Sequence, residues 1–213
     1  LPARLVALML ARRQLRSSLT LVATDYDFQG LWLTSPFTYF FVARDESREL
    51  MVRLGVPLDR VRVSGIPVRP GLDEAVDTAA VRQSFGLDPD LPVVLVSAGA
   101  SGGSYTLNIV RQVLRCEQPF QAVVVCGRND ELRAEVEGLV SLRPERFRVL
   151  GFTERMADLM RIATLFVGKP GGLSSSECMA AGLPMVIINP IPGQEVRNAD
   201  FLVEEGAAVR CNY

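Results

Sequence analysis

A parallel, doubly wound α/β fold is what this sequence predicts, and three observations carry the prediction. From residue 73 onward, apolar runs of strand length at 93–97, 121–126, 146–150, 164–168 and 184–188 alternate with helical patterns at 104–115, 130–141, 154–162 and 173–181, and a last helix is expected at 194–205. Runs such as Val93-Val94-Leu95-Val96 and Ala122-Val123-Val124-Val125 are apolar without alternation, which suits strands covered by helices on both faces. At 213 residues, 48% of them hydrophobic and 22% charged, the chain has material for one large core or two small ones.

Taken in order, the chain opens with a helix over residues 4–16 that carries arginines on one face. Such a helix either lies on an anionic membrane surface or presents a solvated arginine face above a buried leucine face, and the second is the expectation here. Leu19–Ala23 is a β-rich run ending in Thr24-Asp25-Tyr26-Asp27, Tyr39–Ala43 is a second strand, Asp45–Leu54 a helix opened by acids and closed by Gly55, and Val61–Ser64 a third strand. Gly65-Ile66-Pro67-Val68-Arg69-Pro70-Gly71 then interrupts regular structure with two prolines and two glycines in seven residues, the composition of a hinge. The predicted organisation is a partial N-terminal domain over 1–72 and a second domain over 73–213.

A net charge of −1 argues against nucleic acid as the main partner. The charge is uneven: residues 1–72 hold ten arginines against six acids (+4), while 73–213 hold thirteen basic against eighteen acidic residues (−5). There is no histidine, which excludes Ser-His-Asp and Cys-His catalysis and histidine metal sites within these residues. Cys116, Cys126, Cys178 and Cys211 show neither CxxC nor metal spacing and read as reduced packing residues of a cytoplasmic protein. No apolar run reaches the length of about 18 residues that a membrane-crossing helix needs. The chain starts inside an uncapped helical pattern, and Leu5–Ala11 precedes Arg12-Arg13, the reverse of a signal peptide, so a fragment of a longer protein is expected.

In a parallel sheet, ligands lie beyond the carboxyl ends of the strands, so those ends hold the candidate site. Thr164–Gly168 runs through Lys169-Pro170-Gly171-Gly172 into a helix; strand, turn and helix opening bring unpaired backbone N–H groups and a positive dipole end to one point, which is an anion site. Lys169 adds a cation there. It is the single lysine among 23 basic residues, and an ammonium is not interchangeable with a guanidinium at a crowded phosphate. Glu177, one turn in, could accept hydrogen bonds from sugar hydroxyls. The plainer alternative is a turn in which Lys169 is solvated and Ser174 or Ser175 caps the helix.

The other strand ends add to this picture. Ser97-Ala98-Gly99-Ala100-Ser101-Gly102-Gly103-Ser104 matches neither GxGxxG nor GxxxxGK[ST], which disfavours nicotinamide and P-loop chemistry. A phosphate cradle stays open, because amides approach an anion closely where Cβ atoms are missing; a tight loop without ligand is the alternative. Cys126-Gly127-Arg128-Asn129 and Gly151-Phe152-Thr153 could hold a nucleobase by main-chain hydrogen bonds and stacking. Asn189–Glu195 enters a helix with Asn198 one turn in, and Gln194, Glu195 and Asn198 offer the donors and acceptors a hydroxyl-rich sugar needs. The five ends together describe a nucleotide-sugar site.

KPGGLSSSE and AAGLPMVIINPIPGQEVRNADFL, with ATDYDF followed by Trp32 and SGIPVRP in the front half, resemble the diacylglycerol glycosyltransferases: monogalactosyldiacylglycerol synthases and the bacterial processive diacylglycerol glucosyltransferases. The lipid II-forming N-acetylglucosaminyltransferase is a more distant relative. The resemblance implies a GT-B architecture of two Rossmann-like doubly wound domains, here a fragment with a partial first domain. It implies inverting transfer of a hexose from UDP-glucose or UDP-galactose to diacylglycerol, with no metal and no cofactor, by a peripheral protein on the cytoplasmic face of the membrane. By motif, Glu177 would hold the ribose, Gln194 and Glu195 would face the hexose, and Asn198 would support their helix. Phe152 would lie by the uracil, and Gly99, Ser101, Gly102 and Gly103, with the turn over 171–174, near the diphosphate. Gly127, Arg128, Lys169, Pro170, Gly171, Gly172 and Ser174 complete the donor set, and Asp25, Gln29 and Trp32 fall on the acceptor side.

The departures are specific. The family's first domain begins with a glycine-rich loop ending in a histidine thought to act on the acceptor, and these residues contain no such loop. Gln29, two residues past Asp27, stands where the family usually has a further histidine, and an amide is no general base. The catalytic base is therefore expected from a segment that precedes this chain. A lipid II-type transferase and a non-catalytic nucleotide-sugar-binding protein remain as alternatives.

Overall fold

In the computed structural model, which describes residues 2–72, 74–99 and 105–211, the chain separates into two compact units, Leu1–Pro67 and Val68–Tyr213. The first comprises α1 (Pro2–Ala11), β1 (Thr20–Val22), β2 (Tyr39–Val42), α2 (Asp45–Arg53) and β3 (Val61–Val63), with the strands forming a parallel sheet in the order β1-β2-β3. Leu21 stands opposite Phe40, and Phe41 opposite Arg62. Phe28, Phe40, Val42, Met51, Val56 and Val61 make the core, with Phe40 edge-on to both Phe28 and Phe37. Asp45 and Glu46 in the first turn of α2 and Arg53 in its last complement the helix dipole.

α1 departs from expectation twice. It ends at Ala11 rather than residue 16, because Arg13 adopts a φ of +56° and the chain closes a Schellman turn, with Arg13 N donating to Leu10 O at 3.0 Å and Gln14 N to Met9 O at 2.9 Å. Nor is its leucine face buried: Ala7 is, whereas Leu5 and Leu8 are exposed.

The second unit runs α3 (Thr78–Ser84), β4 (Val93–Ser97), α4 (Tyr105–Arg115), β5 (Gln121–Val125), α5 (Asp130–Val140), β6 (Phe147–Leu150), α6 (Met156–Ile162), β7 (Leu165–Gly168), α7 (Gly172–Ala180), β8 (Met185–Ile188), α8 (Gln194–Glu204) and β9 (Ala208–Cys211). All six strands are parallel, in the order β6-β5-β4-β7-β8-β9. Counted from β4 as the first, that is 3-2-1-4-5-6, the doubly wound arrangement in which strand order reverses between the first and fourth strands. Right-handed crossovers then lay α4 and α5 on one face and α6 and α7 on the other, and the packing of α4 on α5 and of α6 on α3 and α7 agrees. β5 is buried at every position, and Val96, Val110, Ala122, Val124 and Val136 lie in the core it shares with α4 and α5.

Two elements of this unit lie outside the sequence expectation. α3 is a short helix capped by Asp77, whose carboxylate accepts from Ala80 N at 3.0 Å. β9 is a largely exposed edge strand. Of the four cysteines, Cys126 and Cys178 are buried, while Cys116 and Cys211 are exposed and so do not pack as expected. Among the described residues no helix is long and apolar enough to cross a membrane.

Candidate functional site

Because the chain leaves β4 towards β5 and leaves β7 towards β8, the connections after these adjacent strands diverge, and a crevice opens between Ser97–Gly99 and Gly168–Lys169. Gly168 is dictated by packing at that point. A Cβ there would stand 2.9 Å from a ring carbon of Phe166 and 3.2 Å from the Ser97 carbonyl oxygen.

From Gly168 the chain turns at Lys169-Pro170 into α7, whose N-cap is Gly171, and among the described residues no side-chain cap bond is formed there. Ser175 Oγ instead donates backwards to the carbonyls of Gly171 at 2.8 Å and Gly172 at 3.3 Å. The reading in which Ser174 or Ser175 merely caps this helix therefore fails, and the positive end of the dipole stays available to an anion. Lys169 stands beside it, its ammonium 4.8 Å from the centroid of the Tyr105 ring, and the Tyr105 hydroxyl donates to the Ala98 carbonyl. The lone lysine is thus held between the ends of β4 and β7.

Two adjoining hollows occupy the crevice and share Ser97, Gly99, Phe166 and Ser174. The larger, about 420 Å³, extends over the ends of β5 and β6 to Gly127, Arg128 and Phe152 and is bounded on the α7 side by Glu177. Phe152 is 60% exposed, with the Arg128 guanidinium 4.8 Å from its ring centroid, a flat cationic and aromatic edge. Gly99 and Gly127 both have φ near +65° (70° and 64°), and a Cβ on Gly127 would lie 3.5 Å from the Gly99 carbonyl oxygen, so neighbouring strand ends meet backbone to backbone. The smaller hollow, about 270 Å³, lies along Lys169, Gly171, Tyr105, Ile191 and Glu195. Glu195 Oε2 accepts from Ile191 N at 2.7 Å, closing the loop that reaches α8 through Gly193 at φ +108°.

The remaining predicted residues fall differently. Pro170, Gly172 and Asn198 are buried, and Asn198 Nδ2 donates to the Pro170 carbonyl at 3.0 Å, which ties α8 to the turn before α7. Gln194 opens α8 outside the lining of either hollow. Ser101, Gly102 and Gly103 lie outside the described residues. In the first unit, Asp25 and Trp32 line a small hollow of about 90 Å³ with Phe28 and Phe40, whereas Gln29 precedes a turn of 3₁₀ helix over Gly30–Trp32 and lies outside it. Among the described residues no group of three or more His, Cys, Asp or Glu could hold a metal ion.

Sequence reasoning missed Arg69. Its Nε lies 3.1 Å from Glu177 Oε1 at the rim of the larger hollow. The available signal was a cation inside an otherwise apolar Pro/Gly segment. Met156 and Met160 of α6, which also line that hollow, left no signal beyond their helical spacing.

Comparison with known proteins follows this division of the chain. The glycosyltransferase family 28 C-terminal domain matches residues 93–213, more than half of the sequence, and the monogalactosyldiacylglycerol synthase model matches residues 1–68. A processive diacylglycerol beta-glucosyltransferase of Bacillus licheniformis is 34% identical over 191 residues, which are 90% of this chain and 50% of that protein; the chain spans about half the length of the curated relatives it matches. Among solved structures, MurG of Acinetobacter baumannii is 22% identical, with a TM-score of 0.61 over 95% of this chain and 55% of its own. Anabaena HepE in complex with UDP is 16% identical, with a TM-score of 0.57 over 96% of this chain and 67% of its own. At these identities the structures bear on the fold, which is of the GT-B type. With its conserved-domain match laid over the six-stranded unit that carries the crevice, the chain belongs to glycosyltransferase family 28.

Proposed function

We propose that this chain carries the donor half of a glycosyltransferase that moves a hexose, glucose or galactose, from a UDP-sugar to diacylglycerol, with inversion, at the cytoplasmic face of a membrane to which it binds peripherally. The observation that supports the reading most is the uncapped N-terminus of α7 with Lys169 beside it, at the point where strand order reverses. A diphosphate there meets backbone N–H groups, a dipole end and an ammonium without any group having to be assembled. Glu177 then lies where a ribose diol follows the diphosphate, Phe152 and Arg128 where a base stacks, and Glu195 at the hexose end.

In this reading the acceptor hydroxyl attacks the anomeric carbon as the bond from that carbon to the β-phosphate oxygen breaks, and UDP leaves with the bonding pair. Charge grows on the departing diphosphate, and Lys169 with the α7 amides stabilises it there more than in the bound sugar nucleotide. The hydroxyl proton goes to a base that is assigned to no residue of this chain, which has no histidine.

The test is transfer of labelled glucose or galactose from the UDP-sugar to diacylglycerol in vesicles by the full-length protein, with the lipid product identified by mass spectrometry. Transfer is expected, with kcat/KM reduced about 10²-fold in Lys169→Ala. Transfer only to a polyprenyl diphosphate acceptor would move the protein to lipid II-type chemistry. UDP-sugar binding with no transfer to any acceptor would leave a non-catalytic binding protein.

A further inference from the structure

We propose that Tyr105 is the positioning residue for Lys169, its ring holding the ammonium beside the N-terminus of α7 without neutralising the charge that a diphosphate would meet there. The proposal rests on the reading above, in which that point takes the diphosphate of UDP. Tyr105 is the first residue of α4, and its hydroxyl donates to the carbonyl of Ala98, just past the end of β4. Ala98 is itself fixed: it is buried, and its N–H donates to the Val125 carbonyl at 3.0 Å. The ring is thus held at both ends, by the backbone of α4 and by the sheet. Lys169 Nζ stands 4.8 Å from its centroid, and both residues line the smaller hollow with Gly171 and Ser174.

What the ring does for the lysine follows from the lysine's own chemistry. An ammonium on a flexible four-carbon stem has much rotamer freedom to lose when a phosphate orders it. A carboxylate could steady it, but would pair with the charge and then compete with an anionic ligand. Among the described residues Lys169 makes no ion pair, and the contact it does make is with the Tyr105 face. An aromatic ring attracts a cation through its quadrupole and brings no net charge. The ammonium is therefore steadied on one side while its positive charge stays open on the other, and less ordering is left to binding. The hydroxyl adds a tether to the end of β4 that a phenylalanine would lack.

The experiment is calorimetric titration of the full-length protein with UDP, alongside its Lys169→Ala, Tyr105→Leu and double variants. A second series carries Tyr105→Phe and, at the same position, phenylalanine analogues with one, two or three ring fluorines, which drain the negative face of the ring and keep its shape. That series decides the matter should Tyr105→Leu disturb folding. Lys169→Ala is expected to weaken UDP about tenfold or more, and Tyr105→Leu about three- to tenfold. With Lys169 already removed, Tyr105→Leu should add less than about twofold. Affinity should fall step by step with each fluorine, and the series should be flat in the Lys169→Ala background, a dependence that a purely structural ring would not show. A flat series with Lys169 present would overturn the proposal. So would rising affinity, which would mean that the ring withholds the ammonium from the nucleotide, or an equal loss from Tyr105→Leu with and without Lys169, which would mean that the ring meets the nucleotide or supports the fold. These outcomes leave the anion-site reading standing as long as Lys169→Ala weakens UDP. Unchanged UDP affinity in Lys169→Ala, or no UDP binding by folded, unaltered protein, would overturn that reading and this proposal together.

Discussion

The two units of the chain are built from the same element, the parallel strand, and bury it to very different extents. In the first, β1 and β3 are three residues long and mostly exposed, and Leu5, Leu8, Val22, Leu31 and Trp32 all face solvent. In the second, β5 is buried throughout and Leu95, Val123 and Val124 expose nothing. A strand covered on both faces cannot shift its register without moving every neighbour, so its end is fixed in space. That is why the crevice, with Lys169 and the N-terminus of α7 at its edge, lies in the second unit. A site of fixed geometry needs a frame that does not give, and the ends of β4 and β7 have one.

The sharpest way to break this contrast is to hollow out the frame. Leu95 lies on β4 opposite Val123 on one side and Phe166 on the other, with no exposure. Leu95→Ala should destabilise the second unit by about 2–5 kcal/mol, read as a shift in its urea midpoint. A loss below about 1 kcal/mol would show that the sheet relaxes around the void and is no rigid frame. Next in size is Gly168→Ala, which adds a methyl where the Phe166 ring and the Ser97 carbonyl leave no room. It should cost about 1–3 kcal/mol. Because Phe166 lines both hollows, it should also weaken UDP binding, which calorimetry would detect. Unchanged binding would mean that the ring moves away from the crevice rather than into it.

The same contrast governs how much could be read before the structure was known. β4 to β8 and the turns after them were legible because a strand buried on both faces leaves an unbroken apolar run, and a close backbone approach leaves a glycine, as at Gly99, Gly127 and Gly168. β9 was not, because an exposed edge strand is under little compositional constraint. α3 carried a readable cap in Asp77 that was passed over beside the Pro/Gly segment. The end of α1 was hidden because Arg13, rather than a glycine, takes the left-handed position. Within the site, Glu177 was visible in its local motif. Its partner Arg69 was not, because an ion pair between residues far apart in the chain leaves no spacing to recognise. Asn198 donates to the Pro170 carbonyl, a bond between α8 and the turn before α7 that its spacing in the chain does not announce.

A smaller effect, confined to alkali, separates the buried thiols from the exposed ones. Burial pushes the Cys178 thiol from its ordinary 9.0 up to about 12, with the neighbouring Glu177 charge adding to it. Burial likewise pushes Cys126 up to about 11, against the opposing charge of Arg133. Above pH 9 the unfolded chain gives up these protons while the folded one keeps them, so the unfolded state binds fewer protons and stability falls as pH rises from about 9 towards 11 and 12. Urea midpoints measured from pH 8 upward should fall less steeply in a Cys126→Ala/Cys178→Ala variant. Parallel slopes would mean that other groups govern the alkaline limb.

The smallest expected effect repeats the first substitution in the other unit. Leu31 sits in the 3₁₀ turn beside Trp32 and is 74% exposed, so Leu31→Ala removes side-chain atoms that water already reaches. The transfer and cavity contributions that make Leu95→Ala costly are both absent, and the change should stay within about 0.5 kcal/mol. The pair holds side chain and substitution constant and varies only the frame around them, so the gap between the two urea midpoints measures the frame itself. A comparable loss at Leu31 would require that side chain to be covered in solution, and the contrast between the two units would then be one of partners rather than of sheets.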